Sequence, residues 1–558
     1  MRNIVIGGAW PYANGSLHIG HIAALLPGDV LARYHRAAGD KVCFVSGSDC
    51  HGTPVAIRAR QEGKTPEEIS GFYHREFEEC FRKLGFSYDY YGRTSSDVHK
   101  EFVKEFHRKL YDSPYVYEKE VPQAFCVSCG SFLADRFVTG SCPECGGEAR
   151  GDQCDSCGAV LEAETLIKPV CAICGSAISF RSSRHLFIAL SRLEQELRDY
   201  VESHGNWRKN ALAFSGKYLS EGLRDRALTR DLDWGIEVPR EGYETKKIYI
   251  WAENVLGYLS SGKEALRDSP EEFRKLWKTD KKSGQQESPG CPVRHYYVHG
   301  KDNIPFHTII LPSLLLANGE GWHLPDEILS SEYLTLEGKK ISTSHNYAVW
   351  VKDITDRYDS DSLRYYLLAN GPEKKDADFS WREFINSHNG ELLGAYGNFV
   401  NRTLVFIQKY LGGCVPRGKA DGELETEATK LYDRSAESIE KGRFKEAVDE
   451  IFGLVRKANK YFDSRQPWIT RDTDAVDCCN TLFTCVQVIA DLAVLLYPFL
   501  PFSSAKICGW LQLSPDWKKQ QVEPGYRLPE IGILFQRLDK KLAEEESARL
   551  EKACTHLR

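Results

Sequence analysis

Two histidines stand three positions apart near the start of the chain, in the stretch YANGSLHIGH at residues 12–21. The stretch follows a short apolar run, RNIVIGGAW, which reads as a strand. His18 and His21 are therefore expected at the mouth of a helix, one turn apart on one face. Imidazole N–H groups there can bond phosphate oxygens, which a helix N-terminus also attracts. The spacing allows a phosphate site or a structural pair of capping histidines, and the rest of the sequence has to decide between them.

Eight of the 18 cysteines form a second chemical pattern, Cys-x-x-Cys-Gly, which occurs four times. Each pair offers two thiolates to one tetrahedral Zn²⁺, and the following Gly130, Gly146, Gly158 and Gly175 permit a left-handed turn. Four pairs make two Cys₄ sites with no position left for water, which favours a structural role. A thioredoxin-like redox pair would explain one copy but not four. The predicted zinc ligands are Cys126, Cys129, Cys142, Cys145, Cys154, Cys157, Cys171 and Cys174.

The spacing of the four pairs also predicts how they combine. Only eight residues separate the second pair from the third, so these two are expected to share one ion. The first and fourth pairs would then close around the other ion. Most of the remaining cysteines, including Cys43, Cys50 and Cys80, are expected to be small buried hydrophobic residues.

The composition is that of a soluble globular protein, with 42% hydrophobic and 27% charged residues. The net charge of −6 argues against a globally cationic nucleic-acid coat but allows a local basic groove. No apolar leader opens the chain, and the most apolar stretch, CVQVIADLAVLLYPFLP, is predicted to be too short to span a bilayer. We expect a cytoplasmic protein without membrane contact, whose cysteines do not form disulfides.

The elements that position these residues follow from the apolar patterns. At 558 residues the chain should hold three or four domains. Strand-like and helical runs alternate over the first ~115 residues, and strand-like runs return after a Cys- and Gly-rich region, which predicts a parallel sheet interrupted by an insertion. The expected strands are Ile4–Ile6, Val42–Ser46, Lys247–Trp251 and His295–Val298, the helices Ile22–Ala37 and Pro66–Leu84, and a polar surface loop covers 278–290.

From about residue 386 the pattern is helical throughout. Apolar residues recur at i, i+3 and i+4 from Phe444 to Phe462, a second helix is expected from about Leu482 to Leu496, and a charged helical tail follows. The predicted fold class is α/β, a Rossmann-like parallel sheet split by a zinc-binding insertion, followed by an all-α C-terminal helix bundle.

Two later stretches complete the opening motif. LEGKKISTSHN (336–346) places lysines and hydroxyls in a loop after a strand, and YVHGKDNIPFHT (297–308) ends another strand with Gly, Asp and His. Together with LHIGH they resemble the nucleotide site of class I aminoacyl-tRNA synthetases. AWPYANGSLHIGH, GSDCHGTP, ADRFVTGSCPECG, IWAENVLGY, GKDNIPFH, DSDSLRYYLLANGPEKKDADFSW and ANKYFDSRQPW, with the four knuckles, resemble the methionyl-tRNA synthetases from residue 3 to about 470.

The resemblance implies a role for each matching position. Asp49 would pair with the ammonium group of methionine, and the pocket would be lined by Ala9, Trp10, Tyr12, Trp251, Asn254, Val255, Tyr258, Asn303 and His307. Aromatic rings favour a thioether by up to ~1.5 kcal/mol per contact, although such rings can also be ordinary core. The implied ATP site is His18, Gly20, His21, Gly300, Asp302, Lys339, Lys340, Ser342 and Thr343, with His18, His21 and Lys340 catalytic.

The sequence departs from the family pattern at two places. The family loop carries a second lysine where this chain has Thr343, so Lys340 or its neighbour Lys339 is expected to supply the charge near pyrophosphate. Glu253 and Asn254 stand where the family more often has Asp-Ala, which changes the floor of the pocket.

The resemblance also implies a partner and a domain plan. Asn398, Arg402 and Trp468 would bind the anticodon of tRNA(Met), although such residues are also common in cores and caps. Zn²⁺, and Mg²⁺ with ATP, are the implied ions. The expected domains are two catalytic halves (1–115 and 246–325), a connective insertion with the zinc knuckles (116–245), a mobile Lys-Ser loop and stem-contact region (326–385) and an anticodon-binding domain (386–558).

Two other functions use the same motifs. A tRNA-independent nucleotidyltransferase would share the His-x-Gly-His phosphate site but has no need of a long helical C-terminal half. A zinc-knuckle RNA-binding paralogue with an impaired ATP site is favoured by Thr343 and disfavoured by the intact His18, His21 and Asp49. The partners expected here are tRNA(Met), ATP and L-methionine, with no DNA, and a monomer is expected.

Overall fold

The computed structural model describes residues 1–133, 137–151, 154, 157, 161, 163–279, 292–343 and 345–555. Gly158 and most of the surface loop predicted at 278–290 lie outside the described residues.

Strands occur in the first two thirds of the described chain. They are β1 (Asn3–Gly8), β2 (Lys41–Ser48), β3 (Tyr90–Arg93), β4 (Val116–Cys126), β5 (Ser131–Phe132), β6 (Val138–Ser141), β7 (Glu148–Arg150), β8 (Ile167–Cys171), β9 (Ile178–Ile188), β10 (Arg226–Ala227), β11 (Thr229–Arg230), β12 (Lys247–Ile248), β13 (Val293–Gly300), β14 (Glu327–Ser331), β15 (Leu334–Leu336), β16 (Lys339–Lys340) and β17 (Ala377–Phe379).

Helices pack on the strands, and after β17 the elements of the described residues are helical. They are α1 (Ile19–Ala37), α2 (Thr53–Glu62), α3 (Pro66–Lys83), α4 (Asp97–Tyr111), α5 (Leu190–Ser203), α6 (Lys209–Ser220), α7 (Ile250–Glu253), α8 (Gly257–Ala265), α9 (Pro270–Trp277), α10 (Leu311–Asn318), α11 (Val351–Arg357), α12 (Ser360–Ala369), α13 (Trp381–Ser387), α14 (Asn398–Tyr410), α15 (Gly422–Glu440), α16 (Phe444–Arg465), α17 (Pro467–Thr473), α18 (Ala475–Leu495), α19 (Pro501–Leu511) and α20 (Leu542–Thr555).

The central sheet is parallel, in the order β14-β13-β1-β2-β3. Alternate residues of β1 enter different cores, Ile4 and Ile6 on one face and Val5 on the other, so both faces are covered. Because β1 lies between β2 and β13, the loops that follow these three strands meet at one edge, where open α/β sheets bind ligands. The predicted fold class is confirmed.

The insertion leaves the sheet as a long antiparallel ribbon. β4 pairs with β9 from Val116 opposite Ile188 to Cys126 opposite Ile178, and the cysteine pairs lie at its far end beside the small sheet β7-β6-β8. A separate small core, which includes Cys126, Cys142, Cys154 and Cys171, fills this end of the ribbon.

One predicted strand of the central sheet is wrong. Only Lys247–Ile248 of the stretch Lys247–Trp251 is extended; it pairs antiparallel with β11, and Ile250–Glu253 is helical. The apolar part of this stretch, residues 248–251, has only four residues, which is too short to distinguish a buried strand from a buried helix. The other predicted return to the sheet is correct, since β13 pairs with β1.

The helix α18 forms the centre of the C-terminal bundle. It is long and apolar enough to cross a membrane, and 78% of its most apolar window is buried inside the protein. The helix begins earlier than predicted and is longer than the sequence analysis allowed. Its buried apolar residues pack in the same core as α14, α15 and α16.

A buried arginine joins the bundle to the sheet. Arg364 of α12 and Asp29 of α1 form an ion pair at 2.7 Å, and both side chains are fully buried. The same guanidinium donates from Nε to the carbonyl of Phe499 and from Nη2 to that of Pro498, both at 2.9 Å. Burial raises the pKa of Asp29, but Arg364 and Arg33 outweigh it and lower that pKa below its usual value.

Candidate active site

A cavity of about 740 Å³ opens where β1, β2 and β13 end. All ten residues predicted to bind methionine lie in its wall: Ala9, Trp10, Tyr12, Asp49, Trp251, Asn254, Val255, Tyr258, Asn303 and His307. Of the predicted ATP site, the wall contains His18, Gly20, His21, Gly300, Asp302 and Lys340. The structure therefore brings together residues from five separate stretches of sequence.

The two histidines occupy the first turn of α1. His18 is the N-cap residue and His21 the third residue of the helix, so His18 itself has extended backbone. The Gly20 N–H donates to His18 Nδ1 at 3.1 Å, and the His18 N–H donates to His21 Nδ1 at 3.2 Å. Both Nδ1 atoms are thus acceptors, and each neutral ring carries its proton on Nε2.

Burial keeps both rings neutral. It lowers the pKa of His18 well below its usual value, with help from His21, and lowers that of His21 to about 4. Near pH 7 the pair offers two neutral Nε2–H donors at the positive end of α1. A Cβ on Gly20 would lie 2.9 Å from the His18 ring, so the glycine is required by the histidine itself.

Asp49 is a buried acidic residue of the cavity wall. Its side chain is 1% exposed; Oδ2 accepts from Asn254 Nδ2 at 2.9 Å and Oδ1 from the His51 N–H at 3.3 Å. Burial, with the nearby charge of Glu253, raises the pKa of Asp49 to about 7. A ligand cation beside it would restore the ionised form.

Aromatic rings form the apolar part of the same wall. Trp251 stacks on Phe306 with ring centroids 3.6 Å apart, and Tyr12 meets Trp251 edge-on. His307 Nδ1 faces the carbonyl of Asn303 at 2.8 Å, so its Nε2 accepts from Tyr258 Oη, also at 2.8 Å. Phe306 and His307 lie in a π-helical turn, a conformation often found at functional sites.

Of the residues predicted in the Lys-Ser loop, only some line the cavity. Lys340 and Ile341 line the cavity, whereas Lys339 Nζ lies 5.8 Å from the centre of the Tyr347 ring. Ser342 pairs with Tyr347 through two backbone hydrogen bonds, which close a turn that contains Thr343. Ser342 and Thr343 do not line the cavity.

The downstream end of this loop is bonded to the histidine motif. The Ile19 N–H donates to the carbonyl of Val349 at 3.0 Å, and the Val351 N–H donates to that of Leu17 at 2.8 Å. The backbones of His18 and Trp350 are therefore paired, which fixes the lysine loop relative to the turn that contains His18 and His21.

Other wall residues were not predicted. Phe306 lies inside the motif NIPFH, and its position one residue before His307 was the available signal. Tyr333 donates a hydrogen bond to Asp302, the exposed carboxylate that follows β13. No local pattern in the sequence marks Tyr333, because its partner is 31 residues away.

The eight knuckle cysteines form two groups, as their spacing predicted. One is Cys126, Cys129, Cys171 and Cys174, the other Cys142, Cys145, Cys154 and Cys157, and within each group the four sulfurs lie within 4.8 Å of one another. Gly130, Gly146 and Gly175 have positive φ. These are two four-thiol groups that can each hold a metal ion. Six other cysteines are buried: Cys43, Cys50, Cys80, Cys478, Cys485 and Cys508.

The residues predicted to bind the anticodon share one face of the bundle. Arg402 lies on α14, pairs with Asp463 at 2.5 Å and stands 6.0 Å from the centre of the Trp468 ring. Trp468 is 43% exposed. It follows Gln466 and Pro467, where a left-handed residue separates α16 from α17. Asn398, the first residue of α14, is exposed one turn before Arg402.

Known proteins match the whole chain. The family model "tRNA synthetases class I (M)" matches residues 4–404, and "Anticodon binding domain of methionyl tRNA ligase" matches 414–553. A "Methionine--tRNA ligase 1" of Alkaliphilus oremlandii is 53% identical over 551 residues, and a "Methionine--tRNA ligase" of Bacillus cereus is 52% identical over 552 residues; each comparison covers 98% of this chain and 99% of the relative.

A solved structure matches the fold. The methionyl-tRNA synthetase of Mycobacterium tuberculosis in complex with methionyl-adenylate superposes with a TM-score of 0.79 at 24% identity, over 96% of this chain and 100% of that one. The family model covers well over half of the described fold, and relatives above 50% identity span it nearly end to end. The chain belongs to the methionyl-tRNA synthetases, a family of class I aminoacyl-tRNA synthetases.

Proposed function

We propose that this protein activates L-methionine with ATP, forming methionyl-adenylate and pyrophosphate, and transfers the methionyl group to the 3′ end of tRNA(Met). The observation that carries the proposal is the cavity itself. Its wall contains the buried carboxylate of Asp49, aromatic rings and the histidines His18 and His21. This set of groups suits an ammonium group, a thioether and a phosphate, and so supports the proposal.

The first step needs no protein nucleophile. The methionine carboxylate attacks the α-phosphorus of ATP in line, and pyrophosphate leaves as its bond to that phosphorus breaks. His18 and His21 donate from Nε2 to phosphate oxygens, Lys340 supplies positive charge near the leaving pyrophosphate, and Asp302 and Gly300 hold the adenosine side. These groups act by placement and by electrostatic stabilisation of the transition state.

The second step transfers the activated methionine. A ribose hydroxyl of the terminal tRNA adenosine attacks the carbonyl carbon of the adenylate, and AMP leaves. ATP enters as its Mg²⁺ complex. Asn398, Arg402 and Trp468 are proposed to bind the anticodon, with Trp468 stacking on an unpaired base, an interaction worth ~1–3 kcal/mol.

The two cysteine groups are proposed to hold structural zinc. Tetrahedral Zn²⁺ with Zn–S bonds of about 2.3 Å separates its sulfurs by roughly 3.8 Å. The sulfurs of Cys129 and Cys171 are 3.9 Å apart, as are those of Cys142 and Cys157, so the thiols fit such an ion. Zinc would supply rigidity at the end of the β4–β9 ribbon, and four thiolates leave no open position for catalysis.

The remaining predictions are part of the same proposal. We propose a cytoplasmic monomer that binds no DNA and no membrane, with the domain boundaries given from the sequence. The family match, and Trp468 beside Arg402 on the bundle surface, argue against a tRNA-independent nucleotidyltransferase.

Amino-acid-dependent ATP–pyrophosphate exchange tests the proposal. Methionine, leucine, isoleucine, valine and cysteine are assayed side by side without tRNA, on protein replete with zinc. Exchange with methionine alone is the expected result and shows that Thr343 is tolerated in the loop. Exchange with another amino acid contradicts the assigned pocket, and exchange with none favours the RNA-binding paralogue. Charging of tRNA(Met) then distinguishes the synthetase from a nucleotidyltransferase.

A further inference from the structure

Next to Asp49, but outside the wall of the cavity, lies a group of buried polar side chains that the proposed reaction does not use. His51, His99, Glu253 and Ser260 are each at most 2% exposed. None of them lines the cavity. Burying so many polar groups is costly unless they are bonded to one another.

Hydrogen bonds, and one longer ion contact between Glu253 and His99, connect these side chains to Asp49. Glu253 Oε1 lies 2.8 Å from His51 Nδ1, and Glu253 Oε2 lies 3.4 Å from His99 Nε2. His99 Nδ1 in turn lies 2.8 Å from Ser260 Oγ. The backbone N–H of His51 donates to Asp49, so one residue separates Glu253 from the carboxylate in the cavity.

Both oxygens of Asp49 are therefore held from the same short segment. Asn254 donates directly to Oδ2, and its neighbour Glu253 fixes His51, whose N–H reaches Oδ1. The turn between β2 and α2 contains Gly52 at φ +89°, where a Cβ would lie 2.6 Å from Ile250 of α7. The turn and α7 are thus packed together as well as bonded.

His51 and Glu253 bond each other, whereas the Asp49 carboxylate beside them lines the cavity. Burial lowers the pKa of His51, but the charge of Glu253 outweighs this effect, and the pKa is raised. Burial raises the pKa of Glu253, but the charge of His51 likewise outweighs this effect, and the pKa is lowered. His51 and Glu253 form an ion pair. His99 of α4 lies 3.4 Å from Glu253, the charge of Lys100 acts against the protonated form of His51, and the Trp234 ring lies nearly perpendicular to that of His51 with centroids 5.2 Å apart. Asp49 is not part of the ion pair; burial, with the charge of Glu253, raises the pKa of Asp49 to about 7, so a ligand cation would favour its ionised form.

We propose that Glu253 is a positioning residue for amino-acid binding, which acts through His51 to hold the 49–52 turn so that the Asp49 carboxylate faces the cavity. The inference rests on the proposed function, in which Asp49 pairs with the ammonium group of methionine. Glu253 does not touch the substrate. Its removal should therefore weaken the contribution of the ammonium group to binding and leave the contribution of the thioether unchanged.

The test compares two inhibitors that differ by one amino group, L-methioninol and 4-(methylthio)butan-1-ol. Inhibition constants against methionine are measured in the exchange reaction. Glu253→Ala is expected to weaken methioninol at least tenfold and the desamino compound less than threefold. Glu253→Gln keeps an acceptor oxygen for His51 Nδ1–H and is expected to stay within threefold of the parent protein for both compounds.

His107→Asn is the matched control. His107 is also buried and bonds the carbonyl of Ala252 on α7 at 2.8 Å, but it has no link to Asp49, so neither inhibition constant is expected to change by more than threefold. Equal losses for both compounds in Glu253→Ala, or no loss for either, overturn the proposal.

A second variant covers a failure to fold. If Glu253→Ala is not recovered folded, His51→Ala removes the ring and keeps the backbone N–H, and the same selective loss for methioninol is expected; its absence overturns the proposal. Should the parent protein show no methionine-dependent exchange, the proposed function fails instead, which keeps the two failures distinct.

Discussion

The amino-acid cavity and the proposed anticodon face are built from the same residue types in opposite surroundings. In the cavity, Asn254 is 7% exposed and bonded to Asp49, and Trp251 is stacked on Phe306. On the bundle, Asn398 is exposed and Trp468 stands 6.1 Å from the centre of the Phe462 ring with 43% of its surface in solvent.

The two sites differ in how firmly their side chains are held before a ligand binds. The cavity is preorganised by burial, which strengthens its interactions and leaves a large penalty when one partner is removed. The proposed anticodon face has the exposed ion pair of Arg402 and Asp463 and would depend on its ligand to exclude water, so each side chain there should contribute less to binding. The variants below separate these two regimes.

Asp49→Asn should have the largest effect. The change keeps the size of the side chain but leaves a ligand ammonium group without a buried partner, so kcat/KM for methionine in the exchange reaction should fall by roughly 10²–10³-fold. The melting temperature of the ligand-free protein should rise, because burial holds the pKa of Asp49 above its unfolded value and ionised Asp49 destabilises the fold near and above pH 7. A fall in the melting temperature as well as in kcat/KM would contradict the assignment of Asp49 as a buried partner for the ammonium group.

Lys340→Ala should follow, with adenylate formation slowed by on the order of 10²-fold. Lys339→Ala is the comparison, since its ammonium lies near Tyr347 on the other face of β16 and should matter less than tenfold. Single-turnover formation of adenylate measures both variants. A change below threefold in Lys340→Ala would remove that residue from the mechanism.

Trp468→Ala tests the exposed region. Loss of one stacking interaction should raise KM for tRNA(Met) by roughly 10- to 100-fold, while exchange without tRNA stays unchanged. Ile469→Ala is the control, because this neighbour is equally exposed, at 46%, but has no aromatic ring. If both variants lose the same amount, stacking by Trp468 is not the cause.

The pH dependence should give the smallest effect. Binding of the ammonium group needs ionised Asp49, whose pKa is about 7, so KM for methionine should rise about tenfold as the pH falls from 8 to 6. His18 and His21 stay neutral over this range, because burial lowers their pKa values, so KM for ATP should not follow. A flat methionine profile would show that Asp49 is ionised throughout.

The features that could be predicted from the sequence depend on the ends of strands and on short spacings along the chain. The motifs after β1, β2 and β13 converge because parallel strands end at one edge, and the cysteine pairs combine as their separations required. The different surroundings of Lys339 and Lys340 could not be read from the motif, since they depend on the short strand that places neighbours on opposite faces. The group around Glu253 draws partners from three further segments, which no local pattern reveals.

The buried Arg364 also limits how this chain can be divided. Parting the bundle from the sheet would remove the carbonyls of Pro498 and Phe499 from Nη2 and Nε of the buried Arg364 guanidinium, while its ion pair with Asp29 would stay. A buried donor that loses its acceptor costs about 1–3 kcal/mol, and more when the donor is charged. A gene fragment that ends before α14 should therefore yield protein prone to aggregation and degradation. Exchange of the bundle between relatives would have to carry the segment before α19 along with it.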